Sequence, residues 1–197
     1  MKNRYYAKVH DLLRPFVTFL HPLDVRGLEN VPDEPVVLCP NHSSWWDPIL
    51  VIAALRRDYP LFVMAKKQLF QIPVLKTFLK KIGVFPVDRG NADIGALKKS
   101  IQCLKDGWSL MMFPEGTRVK KGKKLTPKGG AAMIAIRSGV KMLPVFIGTT
   151  KTLFHRIPIV FGKPYVPVYS GRKGTSEEYQ ENANEIMRQA YELGGAR

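Results

Sequence analysis

The segment Asn41-His42-Ser43-Ser44-Trp45-Trp46-Asp47-Pro48 sets an imidazole ahead of a carboxylate, with four residues between them. On a continuous helix those two side chains would stand about 140° apart, too far round to meet. If the chain turns first and the helix begins at Pro48, Asp47 can accept a hydrogen bond from one ring nitrogen of His42 and fix its tautomer. The other nitrogen is then free to take a proton from a hydroxyl group. Such a pair is a Ser-His-Asp triad without its serine. Ser43 and Ser44 adjoin it, but no G-x-S-x-G turn occurs in the chain, so the expected nucleophile is the substrate's own alcohol and no covalent enzyme intermediate is required. The same residues also have a plainer use, because Asp before Pro is a favoured way to start a helix.

A second constellation suits an anion. In Phe113-Pro114-Glu115-Gly116-Thr117-Arg118, a glycine allows close backbone approach, a hydroxyl follows, and Arg118 offers the planar fork that matches a phosphate. Lys120, Lys121, Lys123 and Lys124 come directly after. Glu115 repels a phosphate, so it is expected to orient an arginine or to bond a substrate hydroxyl. Val84 to Gly90 brings a further guanidinium, Arg89, to the end of another apolar run. Neither G-x-x-x-x-G-K-[ST] nor a strand-end G-x-G-x-x-G is present, which argues against nucleotide hydrolysis.

These segments need a frame that presents them together. Seven short β-rich runs are expected at Leu23–Gly27, Pro35–Cys39, Leu61–Ala65, Val84–Asp88, Trp108–Phe113, Lys141–Ile147 and Pro158–Phe161. Helices are expected over Pro48–Arg57, Gln71–Lys81, Asp93–Lys105, Lys128–Ser138 and Ser176–Leu193. The alternation describes a single α/β domain, residues 23–197, with a largely parallel central sheet flanked by helices. In such sheets sites form where strands end, and the His/Asp segment, Arg89 and the Glu115–Arg118 turn all follow expected strands. Ahead of this domain, Tyr5, Val9, Leu12, Leu13, Phe16 and Leu20 recur at helical spacing. Residues 1–22 therefore read as an amphipathic helix, lying either in a membrane surface or against the core.

At 197 residues the chain can bury one substantial core. Its 31 Lys+Arg against 16 Asp+Glu give a net charge of +15, which draws polyanions: nucleic acid, anionic lipid or phosphorylated partners. Cys39 and Cys103 lack metal-type spacing and read as reduced core thiols. Lys2, Arg4, Lys8, Asp11 and Arg14 interrupt the first apolar stretch, so neither a signal peptide nor a spanning helix is expected.

In chain order, the motifs resemble those of the lysophosphatidic acid acyltransferase family (PlsC-like, 1-acylglycerol-3-phosphate O-acyltransferases). Asn41 to Asp47 matches the first motif, a His and an Asp separated by four residues, including Ser44 and Trp46. Gly83 to Gly90 resembles the second and Phe113 to Arg118 matches the third at every position. Leu143-Pro144-Val145-Phe146-Ile147-Gly148 resembles the fourth, and Ala65 to Phe70 resembles a segment between the first two. The resemblance runs from about Val25 to Tyr165.

It implies direct acyl transfer from acyl-CoA or acyl-carrier protein to the sn-2 hydroxyl of 1-acylglycerol-3-phosphate, giving phosphatidic acid. His42 would be the base and Asp47 its orienting partner. Asn41, Ser44, Lys66, Arg89, Glu115, Gly116, Thr117 and Arg118 would bind the acceptor, while Leu69, Phe70, Ile72, Leu75 and Phe78 would shape an acyl path or a membrane-facing patch. No cofactor or metal is implied; the thioester donor is a co-substrate. The implied partners are the acceptor lysophospholipid, the donor and an anionic membrane surface at the cytoplasmic face, not nucleic acid. Many relatives carry a longer hydrophobic N-terminus, so attachment here is expected to be peripheral and salt-sensitive. Glycerol-3-phosphate or another lysophospholipid is the alternative acceptor. Two rivals remain: a hydrolase or transacylase on the same fold, and a basic nucleic-acid-binding module.

Overall fold

A computed structural model describes residues 4–72, 76–77, 79–80, 83–87, 93–120, 123 and 125–195. Helix α1 (Arg4–Leu20) leads into β1 (Leu23–Arg26), a short 3-10 turn at Leu28–Asn30, and β2 (Val36–Pro40). Helix α2 (Asp47–Ala54), β3 (Leu61–Lys66), a 3-10 segment Lys67–Gln71 and β4 (Val84–Val87) come next. The chain then forms α3 (Ile94–Lys105), β5 (Ser109–Met111), α4 (Gly130–Ser138), β6 (Lys141–Ile147), β7 (Ile157–Phe161) and α5 (Ser176–Leu193).

Among the described residues the strands make one seven-stranded sheet in the order β1-β7-β6-β2-β5-β3-β4. Every neighbouring pair is parallel except β6 with β7. All five residues of β2 are buried, as expected of a central parallel strand covered on both faces. Its side chains alternate: Val36 and Leu38 enter one core with Leu50, Val51, Met111, Leu143 and Val145, whereas Val37 and Cys39 enter the other with Leu104, Leu110, Ala131, Met142 and Ile186. Helices α1 and α2 cover the first face; α3, α4 and α5 cover the second. Cys39 and Cys103 are free and buried. No described helix is long and apolar enough to cross a membrane.

Two helices are shorter than their expected extents. Leu55 turns extended, so α2 stops at Ala54 rather than Arg57, and the Leu55 carbonyl is met by His10 Nε2 at 3.3 Å. Helix α4 begins at Gly130 rather than Lys128, and the Lys128 amide ahead of it donates to the Pro114 carbonyl at 2.8 Å. Of the helix expected over Gln71–Lys81, Gln71 closes the 3-10 segment and 76–77 and 79–80 are helical; the remaining positions, apart from Ile72, lie outside the described residues.

Candidate active site

Strand β2 sits between β6 and β5, in register Val37↔Met142 and Val37↔Leu110. Parallel pairing aligns their carboxyl ends, and the three loops that leave those ends build one site. From β2, Asn41 bonds the backbone of Ile147 in both directions, accepting from its N–H at 2.7 Å and donating to its carbonyl at 3.0 Å. This two-way bond fixes the start of the β2 loop against β6.

The loop then turns as the His/Asp spacing requires. Asp47 opens α2, and its Oδ2 collects three donors: the Ser43 and Ser44 amides at 2.6 Å each and His42 Nδ1 at 3.0 Å. The network assigns the proton to Nδ1, leaving the lone pair on Nε2. Asp47 has no exposed surface. Burial alone would push its carboxyl upward, but the bond to His42, the nearby Lys151 and the Ser44 amide hold it below its ordinary value. Its position in the first turn of a helix favours the same charge. Ser44 Oγ accepts from the Trp46 amide at 3.3 Å, closing the turn.

The β5 loop supplies the opposite wall. Phe113 stacks on the His42 ring with centroids 4.1 Å apart, and the Val119 amide donates to the His42 carbonyl at 2.7 Å. Glu115 turns inward: Oε2 accepts from the His42 amide at 2.7 Å and Oε1 accepts from the Tyr191 hydroxyl of α5. Desolvation raises its carboxyl above the ordinary value despite those two bonds. Gly116 has φ 69, and a side chain there would meet the Lys128 stem at 3.2 Å. Thr117 and Arg118 are exposed, with the Arg118 guanidinium 4.0 Å from the centroid of the Trp45 ring.

A cavity of about 740 Å³ opens at this point. His42, Trp45, Gly116, Thr117 and Arg118 line it together with apolar side chains of α1, α2, β3 and β4, among them Val9, Leu13, Ile49, Ile52, Val63 and Val84. A basic, hydroxyl-bearing turn thus meets an apolar chamber at the histidine.

Residues 22–148 match the family described as Acyltransferase. The chain belongs to the Acyltransferase family. It is 36% identical over 165 residues to the 1-acyl-sn-glycerol-3-phosphate acyltransferase of Bacillus subtilis, covering 81% of each chain. It is 35% identical over 161 residues to the Streptococcus pneumoniae protein of the same name, covering 79% of this chain and 59% of that one. The chain spans a smaller part, 46%, of the chloroplastic relative BAT2 of Brassica napus. The crystal structure of the 1-acyl-sn-glycerophosphate (LPA) acyltransferase PlsC from Thermotoga maritima superposes with a TM-score of 0.74 at 27% identity, covering 99% of this chain and 80% of that one.

Within this Acyltransferase-family site, His42, Asp47, Gly116, Thr117 and Arg118 come together as their spacing anticipates. Asn41 and Glu115 lie in the same loops, but their polar groups engage the protein's own backbone and Tyr191. Lys66 ends β3; its side chain, and the whole of Arg89, lie outside the described residues. Of the apolar residues assigned to an acyl path, Leu69 lines the cavity, Phe70 packs against the core and Ile72 is exposed; Leu75 and Phe78 lie outside the described residues. Sequence spacing offered no signal for Lys151 or Tyr191, which reach the site from segments far along the chain.

Proposed function

We propose that this chain transfers a fatty acyl group from a thioester, acyl-CoA or acyl-carrier protein, to the sn-2 hydroxyl of 1-acylglycerol-3-phosphate. The observation that carries the reading is the single junction at His42: a tautomer-fixed imidazole on the wall of the apolar cavity, which the Gly116–Arg118 turn also lines. The acyl chain enters the cavity. Arg118, Thr117 and the Gly116 backbone face the acceptor phosphate, with Lys66 and Arg89 as further contacts.

His42 Nε2 takes the proton of the acceptor hydroxyl as its oxygen attacks the thioester carbonyl. The C–O bond forms, the C–S bond breaks, and the departing thiolate receives that proton from His42. The products are phosphatidic acid and free thiol. Asp47 holds the ring and stabilises the transient imidazolium. Glu115 serves from behind, fixing the His42 backbone to α5. The enzyme lies on the cytoplasmic face of the membrane, with residues 1–22 as the surface helix and anionic lipid as its partner.

The test is transfer of labelled acyl groups from acyl-CoA and from acyl-carrier protein to lysophosphatidic acid on anionic vesicles. Wild type should form phosphatidic acid, and folded His42→Ala should lose at least about a hundredfold in rate, the contribution of a positioned base. Undiminished transfer by His42→Ala would overturn the mechanism. Product with glycerol-3-phosphate alone would move the acceptor assignment.

A further inference from the structure

The side chain of Lys151 is 8% exposed and lies 2.9 Å from Asp47 Oδ1. It comes from the turn after β6, three residues past the Leu143–Gly148 motif. Its other donors are also engaged, by Ser43 Oγ at 3.0 Å and by the Gly148 carbonyl. Two of the three N–H donors of its ammonium group are thus committed to the protein, and the charge is paired with the buried Asp47 carboxylate. The buried carboxylate shows the complementary asymmetry. Oδ2 gathers His42 and two amides, whereas Oδ1 makes no directed hydrogen bond and has Lys151 as its ion-pair partner.

We propose that Lys151 is a positioning residue that acts through Asp47: it clamps Oδ1 so that Oδ2 faces His42, and it offsets part of the carboxylate's charge at the imidazole. This rests on the assignment of His42 as base. A bare, buried Asp47 would hold a protonated His42 more tightly and could rotate away from Nδ1. Other charged or titratable groups around the ring are Glu115, bonded to the His42 amide; Tyr191, bonded to Glu115; and Arg118 on the cavity wall.

The experiment compares wild type, Lys151→Met and Lys151→Gln in acyl transfer to lysophosphatidic acid across pH, with thermal midpoints recorded for each. Lys151→Met should lower kcat about tenfold, a partial loss of base catalysis, while KM for the acceptor changes little. The acidic limb of the rate profile should move up by about 0.5–1 pH unit. Lys151→Gln keeps donors for Ser43 and Gly148 without the charge; it should show the same displaced limb even if the Met variant folds poorly. A raised KM with unchanged kcat would make Lys151 a phosphate ligand and overturn the proposal. So would activity that falls only with the folded fraction, the limb unmoved. If His42→Ala is inactive while both Lys151 variants match wild type, the base assignment stands and only the clamp fails; an active His42→Ala removes the base assignment itself.

Discussion

Asp47 and Glu115 are buried carboxylates that both bond His42, one at its ring and the other at its backbone amide, and their surroundings drive them in opposite directions. Asp47 is held low, so its contribution to stability is present above the ordinary carboxyl range and is lost as pH falls through its depressed value. Glu115 is held high. Its folded form keeps a proton that the unfolded chain has already released, so its contribution is full at low pH and fades as pH rises through its raised value. Glu115→Gln removes that second dependence while leaving an amide oxygen for the His42 N–H. Its thermal midpoint relative to wild type should therefore climb as pH rises from the ordinary carboxyl range through Glu115's raised value. A constant difference across that range would show that Glu115 carries no burial cost. The contrast also explains what the sequence disclosed at this scale. His42 and Asp47 were readable because their geometry is decided within one turn. Glu115 was readable as a motif member but not in its role, because Tyr191, which fixes its orientation, arrives 76 residues later.

At the scale of elements, local pattern carried far. Lys141–Ile147 and Ser176–Leu193 match their expected bounds, the first a β-rich run and the second a helix opened by the reciprocal Thr175/Glu178 capping box. The departures lie at helix termini whose free backbone groups are met by distant partners, His10 at Leu55 and Pro114 at Lys128. Periodicity contains no term for such contacts. The order of strands was equally hidden: β2 could have been placed between several neighbours, and only the packed structure sets it between β5 and β6, which is what joins the three loops of the site. The approach of α4 to α5 depends on a missing side chain. A Cβ at Gly129 would stand 2.9 Å from Tyr179 Cβ and 3.1 Å from its backbone carbon, so Gly129→Ala must push the start of α4 from α5. The expected cost is about 1–3 kcal/mol, read as a lowered denaturant midpoint with unchanged slope. A midpoint equal to wild type would mean that the contact relaxes freely.

For the whole molecule, the decisive feature is that α1 has two apolar faces where the sequence suggested a single stripe. Tyr6, Val9, Leu13 and Val17 face the cavity, while Leu12, Phe16 and Phe19 are 75%, 57% and 70% exposed. The two sets lie roughly 100° apart around the helix, so the choice between core and lipid posed by periodicity dissolves: one face packs inward and the other is exposed. Phe154 extends the outer face, its ring 5.7 Å from that of Phe19 and its amide held by the Leu20 carbonyl at 2.8 Å. Apolar side chains exposed on a chain of net charge +15 combine the two attractions a peripheral protein needs, insertion and pairing with anionic headgroups. Each inserted Phe or Leu contributes at most about 1.5–3 kcal/mol, less where insertion is shallow. Replacing Leu12, Phe16 and Phe19 together with Ser should therefore weaken binding to anionic vesicles by about two orders of magnitude while leaving the cavity face intact. Cosedimentation at low and high salt separates the two contributions. Wild type should be released progressively as salt screens the headgroups; the triple variant should be largely free already at low salt. If the variant instead sediments like wild type and only salt releases it, charge alone holds the protein to the membrane and the outer face of α1 must have another partner.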